Sequence, residues 1–144
     1  MLRQQDREWL FPNNGRGLYE ITDEIALWLR EAGLAHGLLT LFLPHTSASL
    51  LIQENADPDV QADILAYLER LVSDGDPRYR HRSEGPDDMS AHLRAALTQP
   101  SISIPVRNGA LALGTWQGIF IFEHRHKDQQ RRLMAHFMGT MGDL

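Results

Sequence analysis

The apolar residues in the first quarter of the chain predict an amphipathic helix. In the segment "GRGLYEITDEIALWLREAG", Ile25, Leu29 and Ala32 recur at the spacing of one helix face. Thr22 stands just before this pattern as a candidate N-cap, and Gly33 follows it as a candidate C-terminal stop. We therefore predict that a helix begins near Thr22 and ends near Gly33.

The segment "ADPDVQADILAYLERLVSDG" predicts a second, longer helix. Its apolar stripe consists of Val60, Ile64, Leu68 and Leu71. Asp57 is a candidate N-cap, Pro58 occupies the favoured first helical position, and Gly75 is placed to end the helix. We therefore expect the helix to lie against a core along this stripe.

A third, shorter helix is predicted in "DDMSAHLRAALTQ", directly after a turn at Gly85-Pro86. Asp87 is the candidate N-cap of this helix. Asp88 and His92 are four residues apart and therefore lie on the same helix face.

The remaining apolar runs predict strands. "HGLLTLFLPH" is a compact apolar run that Pro44 ends, and "SASLLIQEN" continues as a second strand after a sharp turn. Asn108-Gly109 between two apolar runs predicts a hairpin, and "GIFIFEHR" reads as a buried strand. The tail "RRLMAHFMGTM" fits either a strand or a helix. Together these elements predict an α+β fold, with a mixed or antiparallel sheet and helices on one side.

The composition is typical of one globular domain. The chain has 144 residues, a length that fits a single domain covering residues 1–144. It contains no cysteine, which excludes a disulfide framework, a thiolate metal site and a cysteine nucleophile. The formal charge of −5 argues against nucleic acid as a partner, because phosphate contacts need a basic surface.

The chain shows no signal for a membrane or for export. Its start, "MLRQQDREWL", lacks the apolar run of a secretory signal. No segment approaches the roughly 20 apolar residues that span a bilayer. We therefore expect a cytoplasmic protein with no membrane partner.

Three histidines at the ends of predicted elements are candidate metal ligands. His45 follows a strand that Pro44 ends, His124 follows the strand "GIFIFE", and His92 lies on the third helix. Three imidazoles with one position left for water or substrate form the ligand set of an open metal site. Asp88 would then fix the tautomer of His92. The residues alone leave an alternative, in which each histidine only caps an element or makes a hydrogen bond.

Polar residues at other turns are candidates for substrate binding or proton transfer. Glu54 and Asn55 follow a strand, so that Glu54 is a candidate general base and both can line a pocket; simple turn chemistry is the alternative. "GTWQG" places Thr115, Trp116 and Gln117 between two glycines that allow close backbone approach. Trp116 is suited to stacking on a flat ring, and the alternative is a second hairpin turn.

Two further residues adjoin the histidines. Ser47 offers a hydroxyl near His45, and Arg125 beside His124 is a candidate anion contact. No Walker-type glycine loop and no dinucleotide fingerprint occurs in the sequence, which argues against nucleotide binding of those kinds.

Three long blocks of the chain resemble one known family. "HTSASLLIQENADPDV", "HRSEGPDDMSAH" and "NGALALGTWQGIFIFEHR" follow one another as in the YjbQ family, small proteins labelled secondary thiamine-phosphate synthase. The match extends from "YEITDEI" to "EHR". The resemblance implies an α+β fold in which a mixed β-sheet curls into a half-barrel with helices packed on one side. It also implies a homotrimer.

The resemblance further implies a metal site close to a subunit boundary. The shared histidines of the family match His45, His81, His92 and His124. Carried over residue by residue, His45, His92 and His124 become the metal ligands, and His81 becomes a further contact or a substrate-binding residue. His81, Asp88 and Glu54 are then the catalytic candidates. The expected cofactor is a divalent metal, with zinc favoured and magnesium as the alternative for a diphosphate substrate.

The family label implies a transferase. The reaction joins a hydroxymethylpyrimidine diphosphate to a thiazole phosphate and releases diphosphate, with Arg125 near the leaving group and Trp116 on the pyrimidine. Two alternatives remain open. One is a metal-dependent hydrolase of a small phosphorylated or carbonyl substrate, in which Glu54 or Asp88 accepts the proton. The other is a non-catalytic trimer that binds a metal or a metabolite.

Overall fold

The computed structural model describes residues 1–142, and these form eight strands and three helices. The strands are β1 Arg3–Asn13, β2 Gly17–Glu20, β3 Leu34–Phe42, β4 Ala48–Glu54, β5 Ser101–Arg107, β6 Ala110–Leu111, β7 Gln117–Glu123 and β8 Gln129–Met141. The helices are α1 Thr22–Glu31, α2 Pro58–Leu71 and α3 Asp88–Leu97.

The strands form two antiparallel groups. One has five strands in the order β1-β8-β3-β5-β6, and the other has three strands in the order β2-β7-β4. Every described pairing is antiparallel. The predicted α+β class and the half-barrel are confirmed, and of the two predicted sheet types the antiparallel one is present.

The core lies between these two groups of strands and α1. Leu39 of β3, Ile121 of β7 and Leu29 of α1 have no solvent exposure. Because α1 contacts β3, β6 and β7, it joins both strand groups into one apolar interior. Truncating such a leucine to alanine typically costs about 2–5 kcal/mol, so these contacts dominate the stability of the fold.

The first predicted helix is confirmed, but its start is built differently from the prediction. α1 begins at Thr22 without a side-chain cap, so Thr22 is not its N-cap. The Thr22 hydroxyl instead accepts a hydrogen bond from the Ile119 backbone N–H at 2.9 Å and thereby ties the helix to β7. Gly33 follows the helix at a φ of 68°, which a glycine adopts without strain, as predicted for the stop.

The second helix confirms most of its prediction. Asp57 is the N-cap and accepts a hydrogen bond from the Asp59 backbone N–H, and Pro58 is the first helical residue. The helix ends at Leu71, however, before Gly75. Gly75 instead turns the following loop at a φ of 63°.

α2 has 14 residues, and across residues 1–142 no helix is long and apolar enough to cross a membrane.

The predicted strands are all present. Asn108 and Gly109 have φ angles of 52° and 76° and join β5 to β6, which confirms the hairpin. The undecided tail is a strand, because β8 pairs with β1 on one side and with β3 on the other. The sequence pattern did not predict β1 or β2.

Candidate functional site

Three of the predicted site residues meet at the start of α3. Asp88 is the first residue of α3, and His92 lies on the same face one turn later. His81 approaches them from the loop between α2 and α3. The Nε2 atoms of His81 and His92 lie 2.6 and 3.1 Å from the same carboxylate oxygen, Asp88 Oδ2. One acid therefore holds two imidazole rings together.

The hydrogen bond on the other side of the His92 ring determines what its Nε2 offers. His92 Nδ1 lies 3.0 Å from the backbone oxygen of Thr46, which can only accept. Nδ1 therefore carries a hydrogen, and in a neutral ring Nε2 has a free lone pair. That lone pair faces the carboxylate of Asp88, an arrangement that a cation between them would stabilise.

Arg125 orients the carboxylate from the opposite side. Its Nη1 donates to Asp88 Oδ1 at 2.8 Å, its Nε donates to Asp87 Oδ2 at 3.0 Å, and its Nη2 donates to the Glu84 backbone oxygen at 3.0 Å. Arg125 is therefore engaged by the protein itself, which argues against its predicted role as a substrate anion contact. Burial alone would raise the pKa of Asp88, but the hydrogen bond with His81 and the charge of Arg125 lower it below its ordinary value.

Asp87 stands at the predicted N-cap position of α3 but makes no side-chain cap hydrogen bond. Its carboxylate instead accepts hydrogen bonds from Arg125 and from the His126 backbone N–H at 2.9 Å. These contacts, opposed by burial, lower the pKa of Asp87. Asp87 therefore fastens the start of α3 to the segment after β7.

Glu84 completes the cluster and was missed by the sequence interpretation. One ligand atom each from His81, Glu84, Asp88 and His92 lies within 4.8 Å of the others. Glu84 stands three residues after His81 in the loop between α2 and α3. This His-x-x-Glu spacing is the sequence signal that could have identified Glu84. The Asp88 side chain is 3% exposed, whereas those of His81, His92 and Glu84 are 41%, 31% and 63% exposed. The cluster is therefore accessible to solvent.

The predicted ligand set of His45, His92 and His124 is not assembled within the described chain, because only His92 belongs to this cluster. His124 is fully buried, and its Nε2 lies 2.9 Å from the Ser49 hydroxyl. Burial and the nearby Arg94 charge lower the pKa of His124 to about 3. His124 is thus a neutral interior residue.

His45 lies near His92 but is bound elsewhere. Its Nε2 accepts a hydrogen bond from the Arg132 backbone N–H at 2.9 Å, so this ring nitrogen has no lone pair left for a metal. Burial, followed by the charge of Arg131, lowers the pKa of His45. The neutral form of His45 is therefore favoured.

Ser47 belongs to a buried ion-pair network that the sequence did not reveal. Its hydroxyl accepts a hydrogen bond from Arg131 Nη2 at 2.9 Å. Arg131 Nε also donates to Glu123 Oε1 at 2.7 Å, and Asn13 donates to the same oxygen at 3.0 Å. The network fixes the end of β7 just before His124 and Arg125. Ser47 therefore has a structural contact rather than a free hydroxyl for substrate.

The other predicted substrate contacts lie at the opposite end of β7. Glu54 pairs with Gln117 at the start of that strand, and Thr115 and Trp116 directly precede it. The seven residues of β7 span about 20 Å at a rise of ~3.3 Å per residue between this group and Glu123, and Arg125 just beyond Glu123 contacts Asp88. Asn55 donates to Glu20 at 2.9 Å.

The contacts of this second group are local. Glu54 Oε2 accepts a hydrogen bond from the Asp57 backbone N–H at 3.3 Å, and Gln117 Oε1 accepts one from the Gly114 backbone N–H at 2.8 Å. Trp116 is 62% exposed. A single protomer therefore does not bring Glu54 or Trp116 to the histidine cluster.

Comparisons with known proteins find relatives that match almost the whole chain. Residues 7–140 match the family model described as UPF0047 protein YjbQ-like. A UPF0047 protein of Synechocystis sp. is 46% identical over 139 residues, covering 96% of this chain and 95% of that protein. The UPF0047 protein YjbQ of Salmonella typhimurium is 45% identical over 127 residues, covering 86% and 90%.

Solved structures of related proteins share the fold. A crystal structure of an uncharacterized conserved protein of the YjbQ/UPF0047 family from Clostridium acetobutylicum superposes with a TM-score of 0.78 at 34% identity, covering 92% of this chain and 98% of the other. A conserved hypothetical protein from Thermus thermophilus gives a TM-score of 0.80 at 32% identity, covering 90% and 97%. The sequence resemblance is thereby confirmed, and the chain belongs to the UPF0047 protein YjbQ-like family.

Proposed function

We propose that this protein is a metal-dependent hydrolase whose centre consists of His81, Asp88 and His92, with Glu84 beside them. The observation that carries the proposal is the approach of two histidine Nε2 atoms, at 2.6 and 3.1 Å, to Asp88 Oδ2. A neutral His92 presents a lone pair at this point, and a cation would remove its repulsion with the carboxylate. A divalent metal ion or a proton between His92 and Asp88 would each supply this positive charge, but a chelator removes only the metal ion.

The chemistry of the donor atoms fits zinc better than magnesium. Two imidazoles and one carboxylate are ligands that zinc accepts, whereas magnesium favours oxygen ligands and retains several waters. A metal-binding histidine usually donates its other ring N–H to a backbone oxygen or a carboxylate, as His92 does to Thr46. The exposure of His81 and His92 leaves room for an exchangeable ligand, which catalysis requires.

The residues around the cluster have separate roles in the proposed hydrolysis. A bound divalent ion would supply Lewis acidity and lower the pKa of water to about 7. Asp88 and His92 are held in place by Arg125 and by the Thr46 backbone oxygen. The exposed Glu84 is placed to accept the proton of the attacking water. We assign this role to Glu84 rather than to Glu54, which lies at the far end of β7.

The metal is tested by elemental analysis and by titration with Zn²⁺. We expect one zinc per chain in the wild type and its loss in a His81→Ala/His92→Ala double variant. His36→Ala is the matched control, because His36 is exposed on β3 outside the cluster. A folded wild type that binds no zinc would identify the cation as a proton and overturn the proposal.

Hydrolysis is tested with 4-nitrophenyl acetate and 4-nitrophenyl phosphate. We expect turnover that a chelator abolishes and Zn²⁺ restores. Glu84→Gln should lower kcat by about 10²–10⁴-fold, the usual contribution of a general base, whereas Glu54→Gln should leave it unchanged. Stoichiometric zinc without turnover of either compound would favour the non-catalytic binding protein instead.

The transferase that the family resemblance implies stays a second proposal. The observation in its favour is the exposed Trp116, whose ring is available for stacking on a pyrimidine. Because the ~20 Å length of β7 separates Trp116 from Arg125, which contacts the cluster, this reaction would need residues from two protomers. Metal-loaded protein should then form thiamine phosphate from the two phosphorylated precursors, and failure to do so would remove this candidate.

We also propose that the protein forms the homotrimer implied by the resemblance. One face of the five-stranded group exposes neighbouring apolar side chains: Leu38 is paired with Met138, and Phe42 with Met134. Light scattering should give about three times the 16.4 kDa of one chain. Leu38→Glu should dissociate the assembly, whereas Leu27→Glu, an exposed leucine on α1, should not. A monomeric wild type would contradict the proposal.

A further inference from the structure

A cavity of about 380 Å³ adjoins the histidine cluster. It lies between the segment after β3 and one side of α3. Its walls include His45, His92, Ala48, Ala95, Ala96 and Pro100. His92 thus belongs both to the cluster and to the wall of this cavity, so that a molecule in the cavity contacts one residue of the proposed centre.

Two other cavities are less suitable as a substrate site. One of about 730 Å³ lies between α1, β3 and the β5–β6 hairpin and contains no residue of the cluster. A second, lined by His81, has a volume of only about 230 Å³, below the roughly 300–1,000 Å³ of ligand pockets. Proximity to the proposed centre therefore favours the cavity beside His92 over the larger one.

Because His45 Nε2 accepts a hydrogen bond, Nδ1 is the hydrogen-bond donor of the neutral ring. Its Nε2 accepts from the Arg132 backbone N–H, so in the neutral ring the hydrogen is on Nδ1. Burial and the charge of Arg131 lower the pKa of His45, which keeps the ring neutral at pH 7. Nδ1 makes no hydrogen bond to any residue that the structure describes. His45, which lines the cavity together with His92, therefore has one uncharged N–H available for a hydrogen bond.

The other walls of the cavity indicate an uncharged substrate. Ala48, Ala95, Ala96 and Pro100 present small apolar surfaces, and the two other lining residues, Thr46 and Thr98, are polar but uncharged. No lysine or arginine lines the cavity among residues 1–142, so a phosphate dianion would lack a cationic side chain there. A neutral N–H is better matched to a carbonyl oxygen, on which negative charge develops during acyl transfer.

We propose that this cavity binds the acyl part of a small uncharged ester, and that His45 Nδ1–H donates to its carbonyl oxygen next to His92. The inference rests on the proposed hydrolase and selects a carbonyl substrate over a phosphorylated one. The water oxygen forms a bond to the carbonyl carbon, the bond to the leaving oxygen breaks, and the water proton passes through Glu84 to that oxygen. The products are a carboxylic acid and an alcohol.

Two substitutions separate the donor of His45 from its structural contact. In His45→Asn the amide nitrogen can replace the Nδ1 donor, whereas in His45→Gln the amide oxygen can replace the Nε2 acceptor for Arg132. Both variants should retain one zinc per chain. For 4-nitrophenyl acetate we expect His45→Gln to lose about 10²-fold or more in kcat/KM and His45→Asn to lose less. The phosphate ester should be the poorer substrate for the wild type.

The results that would contradict this role of His45 differ from the result that would contradict the proposed hydrolase. Loss of zinc in both variants would make His45 a ligand, and wild-type kcat/KM in His45→Gln would remove its catalytic contact. Preference for the phosphate ester would overturn the substrate class. A wild type without zinc would instead contradict the proposed function itself.

Binding to the cavity is measured without turnover. Acetophenone, an uncharged ketone that cannot be hydrolysed, is titrated into zinc-loaded protein and followed by amide NMR. We expect shifts confined to Ala48, Ala95, Ala96 and their neighbours. Ala95→Leu should fill the cavity and abolish the shifts, whereas Ala62→Leu, at an exposed position of α2, should not. Absence of shifts in the wild type would overturn the assignment of this cavity.

Discussion

The two ends of β7 carry polar side chains in opposite surroundings. At its end, Glu123 and His124 are completely buried, and Arg125 just beyond them holds Asp88. At its start, Trp116 and Gln117 are exposed and make local contacts. Buried charges are expensive unless they are fully hydrogen-bonded. Because Arg131 and Asn13 both donate to the Glu123 carboxylate, the end of β7 is held in one geometry, and the proposed centre lies beside that end.

The largest effect is expected from breaking the buried ion pair at the end of β7. Arg131→Met leaves the carboxylate of Glu123 buried without its cation, which should cost about 3–5 kcal/mol of unfolding free energy. Arg132→Met is the neighbouring control, because the Arg132 side chain is 53% exposed and should contribute about 0–1 kcal/mol. Urea unfolding measures the free energy of both variants. Equal losses would show that the burial of the Arg131–Glu123 pair does not determine its contribution to stability.

How far the sequence predicted this molecule depends on how local each signal is. Asp57-Pro58 and Asn108-Gly109 were interpreted correctly because a cap and a tight turn are set by adjacent residues. β1 was missed because most of its side chains are exposed and no apolar alternation marks it. Only the pairing with β8, more than 100 residues away, makes it a strand.

In the candidate site, too, only contacts between residues close along the chain could be predicted. Asp88 and His92 could be placed together because they are one helical turn apart. His124 could not be placed, because its burial and its contact with Ser49 are set by residues 75 positions apart. A histidine after a strand has the same local sequence whether it faces solvent or the interior.

The second prediction concerns acid stability and tests the burial of His124. Below its ordinary pKa of 6.5 the unfolded chain protonates His124, whereas the folded protein keeps it neutral down to about pH 3. The unfolded state therefore binds more protons in this window, and stability falls as the pH falls. At pH 4.5 the loss should be about 3 kcal/mol relative to pH 7.

The measurement is urea unfolding at pH 7 and at pH 4.5 for the wild type and for His124→Gln. The variant retains every carboxylate, so these groups affect both proteins alike. Its stability should fall less than that of the wild type over this interval. An identical fall would mean that His124 is accessible to protons in the folded chain.

The third prediction tests whether the end of β7 reaches the proposed centre. Arg125→Met removes the donor to Asp88 Oδ1 and should weaken zinc binding by about 10–100-fold, as loss of an orienting contact usually does. Arg125→Lys should recover only part of this affinity, because one ammonium group cannot reproduce the fork between Asp87 and Asp88. Competition with a chelator provides the affinities, with Arg107→Met at an exposed position of β5 as the control.

The smallest effect is expected at the start of β7. Trp116 is 62% exposed, so Trp116→Ala should change the unfolding free energy by no more than about 0.5 kcal/mol. Zinc affinity and ester hydrolysis should be unchanged, because the ~20 Å length of β7 separates Trp116 from Arg125, which contacts Asp88 within the protomer. A marked loss of activity with zinc affinity intact would show that Trp116 meets the centre of a neighbouring protomer. The two ends of β7 would then serve one site across the subunit boundary, as the transferase proposal requires.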